Sequence, residues 1–484
     1  MADSELESYA KDLELQLVQA RRNPGKTALE LLVFRLLFAL SSGGSVLPQR
    51  MVSRFARSAA KRDPYRSLVL NSADEPKLQQ GFRVLKGARP RDPAKPTVLV
   101  VTHETSRTGA PVLALNLGEE LARRYNVVFF ALGPGALLDA FRETSSAVFT
   151  ADRLVVRARV YQDMVRQLLG QGEVAFAVVN SVESSAVLPA LKAARIQVVT
   201  LIHEFASYTP NRDKVFGEIN AASIATVFSS PLTLENAIET GVIEPSDRVQ
   251  VIPQGRCNVP SSGGDASRRE EEVTGLRNTL RPAGAENRFL VLGAGSVEIR
   301  KGLDLFIESA NQLVQGPGGD RYDFVWLGGG YDPNRDHQYS VYLADQIRRS
   351  GLEGRLRILP PTSEIETAYR TADVFVLASR LDPLPNVTVD ALSFGLPVVC
   401  FDRASGIAPI LAEAGLGEAC VARYLDASDL SSKVRALATD GDLLAFVRNR
   451  SRETAEASFD FSGYAARIER LALPSAAETD PKRT

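Results

Sequence analysis

The sequence predicts an α/β protein with two domains, each a parallel sheet that helices cover on both faces. The chain has 484 residues, which is too long for one ordinary domain. From residue 96 onward, apolar runs alternate with amphipathic segments, and a polar stretch at residues 261–287 interrupts the alternation before it restarts. Because strands that are buried on both faces read as continuous apolar runs, this pattern indicates two doubly wound domains joined by a linker.

The first domain is predicted at residues 96–260. We expect its strands at PTVLVVT, VVFFAL, VAFAVVN, QVVTLI, IATVF and RVQVIP, and its first helix from about Pro111 to Arg124. Ligands of such sheets bind beyond the carboxyl ends of the strands. Residues that directly follow these strands are therefore candidates for a site.

The second domain is predicted at residues 288–458. Its strands are expected at FLVLGAG, DFVWLGGG, LRILPP, ADVFVLA and PVVCF, each separated from the next by a helix-compatible segment. Two Rossmann-like domains whose strand ends face each other enclose a cleft between them. We expect the ligand in that cleft.

Residues 1–95 are predicted to form a helical extension. The extension is acidic up to Glu14, whereas the segment from Arg21 to Arg66 holds ten Lys/Arg and two Asp/Glu. Basic amphipathic helices bind membrane surfaces, but they also occur as ordinary solvated faces. Peripheral membrane contact and packing on the rest of the protein are both open interpretations.

The composition argues against several classes of protein. A formal net charge of −1 and a single Trp argue against a nucleic-acid partner. The three cysteines, Cys257, Cys400 and Cys420, lack CxxC spacing, so neither a disulfide framework nor a zinc site is expected, which favours the cytoplasm. The longest apolar run is short and interrupted by Arg35, and the N-terminus lacks a signal-sequence pattern. We expect neither export nor a membrane span.

A candidate anion site begins where the run ADVFVLA ends. A Pro-Asn turn follows, and Asn386 is expected to cap a helix that runs to about Phe394. Unpaired amides and the positive end of the dipole attract anions to a helix N-terminus. The predicted diphosphate cradle consists of Leu384, Pro385, Asn386, Val387 and Thr388. Two carboxylates, Asp382 and Asp390, stand eight residues apart on either side of the turn.

A second candidate anion site follows the run FLVLGAG, where Arg300 and Lys301 precede a helix. Cations are electrostatically disfavoured at a helix start, so an adjacent pair there indicates a bound anion. The alternative is a pair of solvated charges. Two cations beside an amide cradle suit a diphosphate leaving group.

Both segments resemble the retaining glycosyltransferases of family four, which have the GT-B fold. That family carries the pattern S-x-x-E-G-F-x-N-x-x-x-E-A-x-x-x-G-x-P-V, and a Lys-Gly pair after the first strand of its second domain. The matching residues are Ser379, Asp382, Asn386, Asp390, Ala391, Gly395, Pro397 and Val398 for the pattern, and Lys301 and Gly302 for the pair. Both acidic positions hold Asp where the family has Glu. The resemblance covers roughly residues 96–474, and it implies that residues 459–474 form a helix that crosses back to the first domain, before a disordered tail at residues 475–484.

The resemblance also implies roles for individual residues. Asp382 matches the acid that contacts the donor sugar near the reacting centre, and Asp390 matches the acid that holds the ribose hydroxyls. His203, which follows the run VVTLI, matches a histidine beside the donor sugar. Asp382, His203 and Lys301 are the expected catalytic residues. Each of three residues also has a simpler explanation without the resemblance. Asp382 fits a turn-forming Asp before a proline, Asp390 fits an acid that stabilises a helix dipole, and His203 fits a structural histidine.

A cleft loop is predicted at HETSRTGAP, which begins with His103 after the first strand. Its Gly109-Ala110 aligns with the small-residue loop through which the family's first domain approaches donor and acceptor. A tight strand-to-helix turn explains Gly109 equally well. The segment from Gln254 to Arg256 resembles the family's Pro-Asn-Gly turn before the linker, and we interpret it as a turn with Arg256 within reach of the cleft.

The expected function is therefore retaining transfer of a sugar from a nucleoside-diphosphate sugar to an acceptor hydroxyl, in surface polysaccharide or lipid-linked glycan assembly. Neither a cofactor nor a metal is expected, because the cations and amides can hold the diphosphate. The Asp pair keeps a second hypothesis open, a non-catalytic GT-B protein that binds a nucleotide or glycan or serves as a scaffold. A sugar-nucleotide epimerase on the same fold is a third.

Overall fold

The computed structural model describes residues 81–151, 158–260 and 266–473. The predicted extension up to residue 80 and the predicted tail at residues 475–484 lie outside them. In the described part, none of the helices is both long enough and apolar enough to cross a membrane.

The first domain is built on an eight-stranded sheet in the order β1-β4-β3-β2-β5-β6-β7-β8. Its strands are β1 (Phe82–Lys86), β2 (Thr97–Thr102), β3 (Asn126–Ala131), β4 (Ala147–Ala151), β5 (Val174–Asn180), β6 (Val198–Ile202), β7 (Ala225–Phe228) and β8 (Val249–Val251). All neighbours are parallel except β1 and β4. Its helices are α1 (Gly109–Leu121), α2 (Leu138–Thr144), α3 (Ala158–Leu169), α4 (Leu188–Ala193), α5 (Arg212–Ala222) and α6 (Pro231–Glu239), with 3₁₀ turns at Val182–Val187 and Ala206–Tyr208.

The second domain is built on a six-stranded parallel sheet in the order β11-β10-β9-β12-β13-β14. Its strands are β9 (Phe289–Ala294), β10 (Tyr322–Leu327), β11 (Leu356–Leu359), β12 (Val374–Leu377), β13 (Val398–Phe401) and β14 (Val421–Ala422). The helices from the linker onward are α7 (Ala266–Leu280), α8 (Leu303–Gln315), α9 (Ser340–Arg349), α10 (Ile365–Thr371), α11 (Asn386–Ser393), α12 (Ile407–Glu413), α13 (Gly417–Cys420), α14 (Ala427–Thr439), α15 (Gly441–Ser458) and α16 (Phe461–Ala472). Further 3₁₀ turns lie at Ile299–Lys301 and Gly319–Arg321.

Apolar side chains cover both faces of the first sheet. One core holds β-strand residues such as Val98 and Val178 against helix α1, and the other holds Leu99 and Val179 against helices α3 and α4. This alternation follows from the strand geometry, since successive side chains point to opposite faces. The two-domain, doubly wound fold predicted from the apolar runs is confirmed.

Two strands occupy segments in which no strand was predicted. Strand β1 lies within the predicted helical extension, and β4 lies between the predicted strands VVFFAL and VAFAVVN. Both have five residues, too few for their periodicity to separate a strand from a helix. The two strands pair with each other in antiparallel register, from Phe82 with Ala151 to Lys86 with Ala147. Tertiary pairing, which the sequence pattern does not show, decides their conformation.

The predicted linker contains a helix. Helix α7 has fifteen residues, ASRREEEVTGLRNTL, and within its described part Leu280 is the fully buried side chain. Arg and Glu are good helix formers, so a charged segment of this kind folds as a surface helix rather than as an open loop. Arg269 pairs with Glu364 at 3.1 Å and so connects α7 to the second domain.

Helix α16, the last helix in the described part of the chain, packs on the first domain. Tyr464, Ala465, Ile468 and Ala472 are buried in the same core as helix α1. Asp460 caps the helix by accepting hydrogen bonds from the backbone amides of Ser462 and Gly463. Within the described residues, the chain thus passes from the first domain to the second and returns to the first at helix α16.

Candidate active site

A cleft of about 470 Å³ is lined by both domains, at the carboxyl ends of strands from each sheet. The predicted site residues that line it are Gly109, Ala110, His203, Lys301, Asp382, Leu384, Pro385, Asn386, Val387 and Asp390. His103, Arg300 and Thr388 were also predicted, but they are not among its lining residues. Most of the predicted residues thus meet in one place.

The Asp382 carboxylate is contacted by two cationic side chains and one hydroxyl. Lys301 Nζ donates to Oδ2 at 2.5 Å, and Ser379 Oγ donates to the same oxygen at 3.0 Å. Arg300 Nη1 donates to Oδ1 at 3.3 Å. The Asp382 side chain is only 6% exposed. The structure therefore holds this carboxylate between two cations, whereas the sequence analysis treated cations and acid as separate elements.

Glycine makes this arrangement sterically possible. Gly302 has φ 72°, and a Cβ at this position would lie 1.9 Å from the carbonyl oxygen of Ala378. The backbone amide of Arg380 also donates to the carbonyl oxygen of Arg300 at 2.8 Å. The loop after β9 is therefore packed directly on the loop after β12, which brings Lys301 beside Asp382.

Two predicted ligands of the diphosphate have other contacts. Arg300 donates to Glu298 Oε1 at 2.9 Å, and its side chain is 41% exposed. Thr388 is fully buried, and its hydroxyl donates to the carbonyl oxygen of Pro385 at 2.7 Å. Arg300 acts on the cleft through Asp382, and the Thr388 hydroxyl stabilises the start of helix α11.

Asn386 is the first residue of helix α11, and Pro385 is its N-cap, so the predicted capping role of Asn386 is wrong. Its side chain instead faces the first domain, where Gln254 Nε2 donates to Asn386 Oδ1 at 2.6 Å and to the carbonyl oxygen of Leu384 at 3.2 Å. A Cβ on Gly109 would lie 3.1 Å from Asn386 Nδ2. The amide of Thr388 donates to the carbonyl oxygen of Pro385 at 3.0 Å. The amides of Asn386 and Val387, at the start of the first helical turn, have no partner within the helix and are available to an anion.

Asp390 lies one turn inside the helix and contacts the first domain as well. Arg256 Nε lies 3.4 Å from Asp390 Oδ1, and Arg256 Nη2 lies 3.5 Å from Glu366 Oε1. Burial raises the pKa of Asp390 to about 6, the nearby Arg256 guanidinium opposes that shift, and Glu366 adds to it. Gln254 lines the cleft and Arg256 contacts Asp390, so this segment is more than the simple turn that we predicted.

His203 has a defined tautomer. Its Nε2 lies 2.9 Å from Asn180 Oδ1, and Asn180 Nδ2 donates to the carbonyl oxygen of Ala110 at 2.7 Å. Because this second bond fixes the amide orientation, His203 Nε2 carries the proton and Nδ1 is an acceptor. Burial lowers the pKa of His203, Glu204 opposes the shift, and His103 adds to it. A neutral imidazole with one acceptor suits a sugar hydroxyl.

His103 is close enough to His203 to interact with it electrostatically. The Nε2 of His103 is 3.8 Å from Glu104 Oε1. The sequence analysis expected both histidines to face the cleft, and of the two only His203 is among its lining residues. Position at a strand end alone does not distinguish them.

Three polar groups of the cleft wall were not predicted as site residues. Within the described residues, Ser229 Oγ, Gln254 Oε1 and the Tyr369 hydroxyl are buried without a hydrogen-bond partner, and all three residues line the cleft. A buried polar group without a partner is costly, so each is a candidate contact for a bound ligand. Ser229 directly follows a strand, so its position could have indicated a site residue. Tyr369 lies inside helix α10, where the sequence pattern gives no such indication.

Comparison with known proteins is most specific for the second domain. Residues 286–440 match the family model described as Glycosyl transferases group 1. The alpha-galactosylglucosyldiacylglycerol synthase of Streptococcus pneumoniae is 29% identical over 180 residues, which is 36% of this chain and 43% of the synthase. The amylovoran biosynthesis glycosyltransferase AmsD of Erwinia amylovora is 31% identical over 80 residues, which is 16% of this chain and 23% of AmsD. The chain thus spans less than half the length of the curated relatives it matches.

A solved structure extends the likeness to both domains. Anabaena Alr3699/HepE, in complex with UDP and glucose, superposes with a TM-score of 0.62 at 19% identity and covers 78% of this chain and 99% of its own. At that identity the likeness concerns the fold. The fold and the family match agree with the motifs found in the sequence. The chain has the GT-B fold, and residues 286–440 of its second domain match the group 1 glycosyl transferases.

Proposed function

We propose that the protein is a retaining glycosyltransferase that moves a sugar from a nucleoside diphosphate to an acceptor hydroxyl without a metal. The observation that carries this proposal is the juxtaposition in one cleft of Lys301, the first turn of helix α11 and Asp390. A cation and free amides suit a diphosphate, and a carboxylate one helical turn further on suits ribose hydroxyls.

The diphosphate is bound by Lys301 and by the amides at the start of helix α11. Asp382 positions Lys301 through the 2.5 Å contact with Nζ and stands at the donor sugar's side of the cleft, as the resemblance implies. Preorganised charges of this kind act where negative charge develops in the transition state. They replace a metal ion in stabilising the leaving group, so we propose metal independence.

The donor sugar lies toward the first domain, where Nδ1 of His203 accepts a hydrogen bond from one of its hydroxyls. In the reaction, the bond between the anomeric carbon and the β-phosphate oxygen breaks, and a bond from that carbon to the acceptor oxygen forms on the same face. The departing phosphate oxygen takes the acceptor's proton. This route needs no separate general base.

The acceptor class is suggested by the named relatives, a glycolipid synthase and a polysaccharide glycosyltransferase. We infer a lipid-linked glycan or a surface polysaccharide precursor, met at the cytoplasmic face of a membrane. The basic segment between Arg21 and Arg66 supports peripheral contact with that membrane.

The test is a thermal-shift titration with UDP, GDP and ADP, with and without EDTA. A ligand at 100 times its Kd adds about 2.7 kcal/mol to the free energy of unfolding. We expect a shift with one base that EDTA does not remove. Incubation with the matching nucleotide sugar and an acceptor should then release nucleoside diphosphate. NMR of the product should show the same anomeric configuration, α or β, as in the donor. No shift with any nucleotide would contradict the proposal, and a shift abolished by EDTA would contradict metal independence.

A further inference from the structure

We propose that Arg256, which the first domain supplies, is a positioning residue for the donor ribose. It holds Asp390 by one carboxylate oxygen and leaves the other to accept hydrogen bonds from ribose hydroxyls. The inference rests on the proposed function, because that function assigns ribose to Asp390. It adds a residue from the opposite domain to the nucleoside site.

Arg256 is fixed at both ends. Its backbone amide donates to the carbonyl oxygen of Phe459 at 2.9 Å, which anchors the turn. Its guanidinium contacts Asp390 at 3.4 Å and Glu366 at 3.5 Å, and its Cζ lies 5.0 Å from the centre of the Phe394 ring. Three side chains of the second domain thus hold one guanidinium of the first.

The charge balance around Asp390 gives Arg256 a specific task. The titratable groups that face Asp390 are Arg256, Glu366, Cys257 and Tyr369. Burial raises the pKa of the thiol and of the phenol, so both are neutral. Burial and Glu366 raise the pKa of Asp390, and Arg256 is the group that opposes them. An ionised carboxylate accepts hydrogen bonds at both oxygens, whereas a protonated one has lost part of this capacity.

The contact between Arg256 and Asp390 couples domain closure to binding of the donor nucleoside. Arg256 reaches Asp390 only while the domains lie against each other, so the nucleoside site is complete only when the cleft is closed. Closure in such enzymes completes the catalytic constellation. A donor that needs an ionised Asp390 therefore favours the closed arrangement.

The experiment compares Arg256→Met with Arg370→Met. Arg370 lies 4.4 Å from the same Phe394 ring and pairs with Glu366 at 3.7 Å. It is not among the groups that shift the pKa of Asp390, so its loss removes one guanidinium from the same ring without touching the proposed contact. Calorimetric titration with UDP, GDP and ADP, and with their 2′-deoxy forms, is carried out between pH 5 and 9.

We expect wild-type affinity to fall about tenfold per pH unit below pH 6, the pKa of Asp390. In Arg256→Met the midpoint moves upward by about one unit or more, since an opposite charge within hydrogen-bond reach is worth that much. With a shift of one unit, affinity then drops about twofold at pH 7 and about tenfold at pH 5, and it recovers at pH 9, while the preference for ribose over deoxyribose shrinks at pH 7. Arg370→Met keeps the wild-type midpoint, and Arg256→Lys, which keeps the charge, lies between wild type and Arg256→Met.

Each result separates this inference from the proposed function. If wild type binds a nucleoside diphosphate but Arg256→Met loses affinity equally at every pH, or keeps the wild-type preference for ribose, this inference is wrong and the proposed function stands. If Arg256→Met does not fold, Arg256→Lys provides the test. This inference is then wrong if Arg256→Lys has the wild-type midpoint in the pH dependence of affinity and the wild-type preference for ribose. If wild type binds none of the three nucleotides, both are wrong.

Discussion

Asp382 illustrates how one methylene decides the geometry of a site. Its two carboxylate oxygens already have three partners, Lys301, Arg300 and Ser379, at 2.5–3.3 Å. Its backbone amide also donates to the carbonyl oxygen of Ala404 at 2.7 Å, so the main chain has no freedom to retreat. A glutamate has one more methylene, so its carboxylate would lie too far from the backbone to keep all of these contacts. The shorter acid is therefore the fitting residue for this backbone rather than a sign of degeneration.

This reasoning gives the expected result for Asp382→Glu. Restoring the family residue should lower the free energy of unfolding by about 1–3 kcal/mol, because the buried site is overpacked, and should reduce turnover. Urea denaturation and an assay of donor consumption measure the two effects. A gain of turnover in this variant would contradict our explanation and would favour a degenerate site.

Lys301→Ala should lower turnover about 10²–10³-fold, because it removes a preorganised positive charge from the leaving group. It also leaves the buried Asp382 carboxylate with Arg300 as its remaining cation, which costs stability. The double variant Lys301→Ala/Asp382→Asn separates the effects, since it should recover stability without recovering turnover. Unchanged turnover in the single variant would refute the assignment of Lys301.

Sequence reasoning found most single residues of the cleft but few of their partners. Lys301, Asp382 and His203 were identifiable because parallel strands end at a common edge, and side chains just after those ends converge there. The contacts from Gln254 to Asn386 and from Arg256 to Asp390 were not identifiable. They join residues more than a hundred positions apart in the chain, and no local pattern encodes the angle between two domains.

At the scale of elements, the loop after β9 depends on one glycine. Gly302→Ala should unfold the loop or the domain, because the new Cβ meets the Ala378 carbonyl oxygen at 1.9 Å in a left-handed conformation. Gly415→Ala is the matched control, since Gly415 has φ 76° and nothing within 4 Å. The control should cost about 1 kcal/mol, the penalty of the backbone conformation alone. Thermal unfolding of both variants gives the comparison, and equal losses would show that the steric contact is unimportant.

Elements with long apolar runs were predictable, and short or charged ones were not. Strand β2 has six buried residues in a row, a pattern that indicates a strand inside a parallel sheet. Strand β1 has one buried residue, Phe82, and owes its conformation to the pairing with β4. Helix α7 was assigned to a linker because polarity was taken as a sign of irregular structure, although Arg and Glu favour helices.

At the scale of the whole molecule, the two domains meet at the site itself. Gln254 in the first domain donates two hydrogen bonds to the start of helix α11 in the second, at 2.6 and 3.2 Å. Gly406 in the second domain approaches the first so closely that a Cβ would lie 2.4 Å from Ser230 Cβ. The two domains are thus in contact across the cleft, which is the closed arrangement. The facing of two Rossmann-like domains was predictable from the repeated strand pattern, and the residues in contact were not.

Gln254→Leu should favour the open arrangement. It leaves Asn386 Oδ1 and the Leu384 carbonyl oxygen without the donor that they have in the closed form, a cost of about 1–3 kcal/mol. We expect the KM for the donor to rise and the radius of gyration with saturating nucleotide, measured by X-ray scattering, to exceed that of wild type. Gln250→Leu is the control, because Gln250 donates to Asp247 within its own domain. Equal scattering of the two variants would show that Gln254 does not hold the domains together.

The position of helix α16 has a consequence for biosynthesis. A ribosome releases the strands of the first sheet early, yet Tyr464 and Ile468, which fill the core beside helix α1, are made only after the whole second domain. During that interval the nascent first domain lacks the apolar side chains of helix α16 that pack in its core. Domains generally fold as units in the order of synthesis, and exposed apolar surface invites aggregation. Here the first domain to be translated is completed last, so a stop codon before residue 461 would leave even this early domain unfinished.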